Sequence, residues 1–297
     1  MTVYKMDSNL ISTLSDPVVS RQKLTAVCGC VNWGQTLWIL KSKGSVKDNV
    51  QYPISILKVS KFDTNNRKVS TITVKKNGKA VAGIARHANS ITYARPDGAE
   101  HGSLYIATGN KKDKKQIIKM DTSGNIEKEC YYYGPDGQKS TISEITYYGM
   151  INGTMMFITN GNTKDGRKKY NLTSFDGSSF RYYKGLAFGE NTEEDDYVSN
   201  DFTYADGKLY HCFFKTNKSG VIKYNRIYAY NFSNIDLLNG QVIPAEFYYQ
   251  VNASSNYDKK YEVEGFVIRN YIGYIACNSE SSKASYNKDS VFKLKDK

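Results

Sequence analysis

Ser90-Ile-Thr-Tyr93, Glu144-Ile-Thr-Tyr147 and Asp201-Phe-Thr-Tyr204 set one pattern, a polar residue, an apolar one, threonine and tyrosine, three times at intervals of 54 and 57 residues. Self-similarity at a near-fixed period marks a repeat architecture. After a turn, each copy leads to an apolar stretch: Ser103-Leu-Tyr-Ile-Ala-Thr108, Gly153-Thr-Met-Met-Phe-Ile-Thr159 and Gly207-Lys-Leu-Tyr-His-Cys212. A third segment follows as Gln116–Met120, Tyr170–Phe175 and Asn225–Tyr230, alternating apolar and polar residues as half-buried strands do. A weaker fourth strand follows turn sequences such as Asp121-Thr-Ser-Gly124 and Asp176-Gly177.

The same order extends to both ends of the chain. Near the start it reads Leu24–Trp33, Thr36–Leu40, Ile54–Val59 and Lys68–Val74; near the end, Val263–Ile268, Ile272–Cys277 and Ser290–Leu294, one strand short. Units of four strands at this spacing predict an all-β fold, a five-bladed β-propeller whose last blade is closed by an N-terminal strand, Thr2–Met6. The expected organisation is a single domain, 1-297, with blades at roughly 22-75, 86-131, 140-185, 197-250 and 260-297 plus 2-6. One helical turn is expected between Ser8 and Arg21. An irregular β-sandwich is the alternative, and no Pro/Gly/Ser-rich linker suggests two domains.

The 297 residues carry 41 Lys+Arg against 29 Asp+Glu, a net charge of +12, with 25 Tyr, 12 Phe and 2 Trp. Such an aromatic-rich yet charged chain fits neither a membrane bundle nor a disordered protein. The start lacks the basic and apolar regions of a signal peptide, and no run is long enough for a spanning helix. Synthesis in a bacterial cytoplasm is therefore expected, with release outside the cell or in a phage-like particle by another route. Cys28, Cys30, Cys130, Cys212 and Cys277 are odd in number and lack zinc spacing, so reduced, buried thiols are expected.

In a propeller the residues just before each repeat motif converge on one mouth of the central channel. By register these are Cys28-Gly29, His87 and Asn89, Ser143-Glu144, Asn200-Asp201, and Glu262 with Glu264. Convergent, dissimilar polar groups in a concave mouth suggest a ligand site. Glu144, Asp201 and Glu264, with His87 assisting, are also the candidates for acid–base work on a glycosidic bond. No cofactor and no metal site is indicated, although those oxygens could hold a hard cation such as calcium. The bland reading is a wet channel lined by strand caps.

Strand alternation puts the loop between the second and third strands of each unit on the same face. All five loops carry cations: Lys41, Lys43 and Lys47; Lys111, Lys112, Lys114 and Lys115; Lys164, Arg167, Lys168 and Lys169; Lys215, Lys218 and Lys223; Lys283 and Lys288. A lysine rim of this kind steers polyanions. Tyrosine pairs supply flat platforms for sugars, although most should pack between blades. The absence of a recognition helix or RNA-binding aromatic motif argues against nucleic acid. No phosphate loop, zinc motif or nucleophile elbow is present.

Tyr261-Glu-Val-Glu-Gly-Phe-Val-Ile268, Tyr274-Ile-Ala-Cys277 and Ser290-Val-Phe-Lys-Leu294 resemble the C-terminal blade of the helveticin J-like bacteriocins, with weaker likeness at Asp195–Tyr204 and Leu104–Ala107. The resemblance implies an antibacterial protein, made without a conventional signal peptide, whose propeller binds the envelope of other Gram-positive bacteria. It brings no catalytic residues. Three function readings follow: a propeller binding an anionic bacterial surface glycan, a polysaccharide hydrolase or lyase, and a protein-interaction propeller. The sequence does not fix the oligomeric state.

Overall fold

A computed structural model describes residues 1–161, 169–188, 197–232, 242–253 and 255–296. Among them the strands are joined by turns and loops, and the one helical element is a 3-10 turn, Ala284–Tyr286. The helical turn expected between Ser8 and Arg21 is not formed. The first long strand, β1 (Thr2–Thr13), runs through Ser8, and Val18–Val19 pairs with Gln22–Lys23 in a small hairpin. No helix of the described residues is long and apolar enough to cross a membrane.

Strands succeed one another in antiparallel runs of four. The first run is β2 (Ala26–Trp33), β3 (Thr36–Ser42), β4 (Ser55–Ser60) and β5 (Lys68–Thr73). The second is β6 (Ser90–Ala94), β7 (Ser103–Ala107), β8 (Ile117–Met120) and β9 (Ile126–Cys130). The third is β10 (Ile145–Ile151), β11 (Thr154–Gly161), β12 (Lys169–Phe175) and β13 (Phe180–Phe188). The fourth is β14 (Val198–Ala205), β15 (Lys208–Thr216), β16 (Ile222–Asn231) and β17 (Ala245–Asn252). The last comprises β18 (Lys260–Arg269), β19 (Ile272–Glu280) and β20 (Ser290–Asp296), and β1 supplies its fourth strand.

That closing contact differs in register from the expectation. Met6–Thr13, rather than Thr2–Met6, pairs antiparallel with β20. Thr2–Met6 instead lies parallel to Phe247–Val251 of β17 and ties the fourth and last runs into one eight-stranded sheet. At twelve residues, β1 is long enough to serve both neighbours.

The first strands of the runs touch in cyclic order: β2 with β6, β6 with β10, β10 with β14, β14 with β18, and β18 with β2. Apolar side chains fill each seam: Trp38, Ile56, Ile91 and Ile106 between the first two runs, Tyr105, Phe157 and Phe180 at the next, then Leu172, Phe202 and Tyr228. Cys212, Val263 and Phe292 fill the fourth seam, and Leu37, Leu57, Val267 and Tyr274 the fifth, which joins the end of the chain to its start. Burial at roughly 25 cal/mol per Å² of apolar surface drives this stacking, because no single sheet can cover its own faces.

The recurrent threonine has a structural reason. Thr92 Oγ1 accepts the Tyr147 N–H at 2.9 Å, and Thr146 Oγ1 accepts the Tyr204 N–H at 3.0 Å, so the hydroxyl of one first strand caps an amide of the next. Asparagines secure the other end of these strands: Asn278 bridges to Val27, Asn225 to Tyr261 and Val263, Asn160 to Ser143 and Glu144, and Asn110 to Ile84 and Arg86. All five cysteines are buried and unpaired.

Candidate functional site

At the starting ends of the first strands, β-bulges interrupt three of the ladders, between Val27 and Cys30, between Ser199 and Phe202, and between Val263 and Gly265. A bulge re-aims the side chains it contains. The residues so displaced are Cys28-Gly29, Asn200-Asp201 and Glu264, all from the set that the repeat register singles out.

Asp201 lies beneath the surface, 2% exposed. Its Oδ1 is 2.6 Å from Ser90 Oγ and accepts the Phe202 N–H at 2.9 Å. Ser90 Oγ also accepts the Ile145 N–H at 3.1 Å and lies 2.9 Å from the Ile145 carbonyl. A hydroxyl has one proton, and an ionised Asp201 and the Ile145 carbonyl would compete for it. A carboxyl that favours its proton eases the conflict, because it makes less demand on the Ser90 hydroxyl and leaves that proton to the Ile145 carbonyl. Burial first, and the nearby Glu144 charge in addition, hold the Asp201 carboxyl well above the ordinary range, against the opposing hydrogen bonds from Ser90 and Phe202. Oδ2 faces Gly29, and the Cys30 amide adds a further hydrogen bond that opposes the shift. Glu144, nearly buried, has its amide on Asn160 Oδ1. Beside this cluster His211 accepts or donates at Tyr170 Oη through Nδ1, and its Nε2 donates to the Asn200 carbonyl at 3.1 Å. Asn200 Nδ2 donates to the Val263 carbonyl at 2.8 Å, linking Asp201's strand to the Glu262 strand.

A folded-state pKa above the unfolded value means that the folded protein holds more protons, so stability falls as pH rises from the ordinary aspartate value of 3.8. Asp201→Asn, which mimics the protonated acid, should flatten part of that decline, worth up to about 1.4 kcal/mol per pH unit for one group. Urea unfolding between pH 4 and 8 measures it.

A pocket of about 240 Å³ opens on the same face, lined by His87, Lys260, Glu262, Glu264, Asn278 and Asp289 among others. Lys260 Nζ is 2.6 Å from Glu262 Oε2. Glu264 accepts a short hydrogen bond from Asn278 Nδ2 and shares another with Glu262. Burial, then the Glu262 charge, hold the Glu264 carboxyl well above its usual range, against the opposing Lys260 charge and Asn278 hydrogen bond. His87 donates from Nδ1 to the Lys43 carbonyl at 3.1 Å, and burial lowers its pKa, leaving a neutral ring. Among the described residues no group of three or more His, Cys, Asp or Glu side chains has metal-holding geometry.

The structure therefore divides the expected cluster in two. His87, Glu262 and Glu264 share a pocket, whereas Asp201 and Glu144 lie in the polar interior. Asn89 bonds the Ala107 carbonyl through its amide at the start of β6. Of the rim, Lys111, Lys112 and Lys114 are exposed on the loop after β7. That loop leans on the pocket: Asn110 Oδ1 accepts the Arg86 N–H at 2.8 Å, and a Cβ on Gly109 would stand 2.5 Å from the His87 carbonyl oxygen. Lys115 lies 3.6 Å from the centroid of the Tyr131 ring. Lys169 begins β12, while Lys164, Arg167 and Lys168 lie outside the described residues. Lys41 is a correction to the rim: it is fully buried between Asp16 and Asp289.

Sequence reasoning missed a wider cleft of about 940 Å³ beside the loop after β15, where Tyr197, Tyr224, Arg226 and Gln250 join the expected Lys215 and Lys218. Its signal was the alternation that sets Tyr224 and Arg226 on one face of β16.

No family model and no curated protein matches the sequence. Solved structures do match its fold. A glycosyl hydrolase from Bacteroides ovatus aligns over 97% of this chain and 91% of its own, with a TM-score of 0.55 and 10% identity. CoXyl43, a GH43 β-xylosidase/α-arabinofuranosidase from a compost microbial metagenome, aligns over 96% and 95% at TM-score 0.52 and 11% identity. An exo-β-1,3-galactanase from Phanerochaete chrysosporium aligns over 96% of this chain and 63% of its own, at TM-score 0.53 and 8% identity. At such identities the likeness is one of fold, and the chain has the all-β propeller architecture found in glycoside hydrolases.

Proposed function

We propose that the chain is a five-bladed β-propeller that binds an anionic glycan of the bacterial cell surface on the face where the first strands start. The observation that carries this reading is the juxtaposition at His87. One pocket sets the Glu262–Glu264 pair, Lys260 and Asn278 beside a loop bearing exposed Lys111, Lys112 and Lys114. Carboxyl and amide groups match sugar hydroxyls, and lysines match phosphate or carboxylate groups on the same polymer. The pocket is smaller than the roughly 300–1,000 Å³ of drug-sized sites, which suits one sugar residue of a chain. The fold's occurrence among carbohydrate-active proteins supports the ligand class. Under the helveticin J-like resemblance, this would be the envelope-binding part of an antibacterial protein.

Hydrolysis is the second reading, favoured by one observation. Glu264, its carboxyl pushed well above the usual range by burial and then by Glu262, lies in the pocket beside that second acid, a setting of the kind acid–base pairs occupy. Asp201, sealed under Gly29, cannot reach a substrate as the fold stands. Replacing Lys111, Lys112 and Lys114 by Gln should cut retention on isolated Gram-positive cell walls about tenfold at low salt and flatten its salt dependence. Unchanged retention would remove the rim from the site. Sugar released by the wild type but not by Glu264→Gln would establish the second reading instead.

A further inference from the structure

Two-residue hairpin turns join the first and second strands of the last three runs. All have positive φ at both positions, the geometry in which glycine is strongly favoured at the second. Two obey: Asn152-Gly153 at 48° and 76°, and Asp206-Gly207 at 50° and 75°. The third is Asn270-Tyr271, at 51° and 62°. Tyr271 therefore holds a left-handed conformation that its side chain disfavours, and that side chain is 99% exposed. Packing does not account for it.

Tyr271 lies at the edge of a cleft of about 510 Å³ that is also lined by Tyr4, Phe247, Tyr249, Lys293 and Asp296. Tyr4, Phe247 and Tyr249 form a contiguous aromatic platform of rings tilted or edge-on to one another, with centroids 5.3 Å apart for Tyr4–Phe247 and for Phe247–Tyr249, and 5.9 Å for Tyr4–Tyr249. Register explains the platform, since Thr2–Met6 lies parallel to Phe247–Val251 with Tyr4 opposite Tyr249. The floor is kept low by Gly273, whose Cβ would stand 2.8 Å from Phe266 and 3.2 Å from Leu294. The turn 270–271 and the start of β17 lie at the ends of their strands away from the His87 pocket, so this cleft is on the opposite face.

We infer that the Tyr271 cleft is a second glycan-binding site, which stacks the C–H face of a pyranose on the tyrosine rings and holds its hydroxyls through Asp296 and Lys293. Flat rings with polar tips, a carboxylate acceptor and an ammonium donor are the groups such a ligand needs. The inference rests on the proposed glycan-binding function and adds a contact that stacking, rather than charge, supplies.

The test is retention on isolated Gram-positive cell walls at 0.05 and 0.5 M NaCl, for wild type, Tyr271→Gly, Tyr271→Phe and the Lys111/Lys112/Lys114→Gln variant. Tyr271→Gly should lose about tenfold at both salts, while its Tm stays equal or rises because glycine suits the turn. Tyr271→Phe, which keeps the flat ring, should retain most binding. The lysine variant should lose binding only at low salt, where its charges are unscreened. Wild-type retention by Tyr271→Gly at both salts would overturn the second site and leave the His87 face standing. Wild-type protein that binds no walls at either salt would overturn the underlying function as well.

Discussion

Gly29→Ala should destabilise the protein by about 3 kcal/mol or more, read as a fall in the urea midpoint at unchanged slope. Gly29 has φ of +128°, a conformation that L residues rarely adopt and that costs on the order of 1–3 kcal/mol. A Cβ there would also stand 2.4 Å from Asp201 Oδ2 and 3.4 Å from the Ser90 Cα. Asp201 cannot swing aside cheaply, because its other oxygen is fixed by Ser90 and Phe202 in a buried network. The double variant Gly29→Ala/Asp201→Ala should recover part of the loss by making room, although it leaves Ser90 one partner short. A Gly29→Ala protein as stable as wild type would mean that this contact is not fixed.

Lys41→Met should cost about 3–5 kcal/mol at pH 7, the usual consequence of removing one partner of a buried ion pair. The ammonium is fully buried, 2.9 Å from Asp16 Oδ1 and 2.5 Å from Asp289 Oδ2. Asp16 has a second cation, Lys23 at 3.2 Å, and is partly exposed. Asp289 keeps only neutral support, the Ser279 N–H at 3.2 Å. Burial already raises the Asp289 pKa despite the Lys41 charge, so without that charge the acid takes up a proton more readily. The penalty should therefore be smaller at pH 5 than at pH 7, and Lys41→Met/Asp289→Asn should be more stable than the single variant at pH 7. This ion cluster joins the end of β3 and the loop after β19 to the segment following β1, so its loss also loosens the seam that closes the ring.

Much of this fold was legible because its repeat is carried by residues with a structural duty. The threonines of the first two motifs cap the next first strand, and the apolar stretch behind each motif fills a seam, so 54- and 57-residue steps survive in the sequence. The N-terminal strand was legible as a missing piece but not in register. Alternation alone does not say that a twelve-residue strand will split its pairing between two partners at Met6.

The site was half legible. Register found His87, Glu262 and Glu264, which do meet in one pocket, but treated Asp201 as equivalent. What separates them is the bulge at Asn200-Asp201 together with Gly29, whose missing Cβ lets the carboxylate sink out of reach. Bulge geometry leaves no period in a sequence. Lys41 misled for the opposite reason: it belongs by position to the rim, and two acids distant in sequence draw it inside. The asparagines that clamp strand starts were overlooked because isolated polar residues near turns resemble ordinary loop residues.

The most direct measurement is co-sedimentation of the purified wild-type protein with isolated Gram-positive cell walls, intact or stripped of teichoic acid, across a salt series, with soluble sugar assayed in each supernatant. A glycan-binding propeller with a cationic mouth predicts retention that weakens with salt, falls at least about tenfold on stripped walls, and releases no sugar. Equal retention on stripped walls would contradict recognition of an anionic polymer, and sugar accumulating in the supernatant would make the Glu262–Glu264 pocket the centre of a hydrolase.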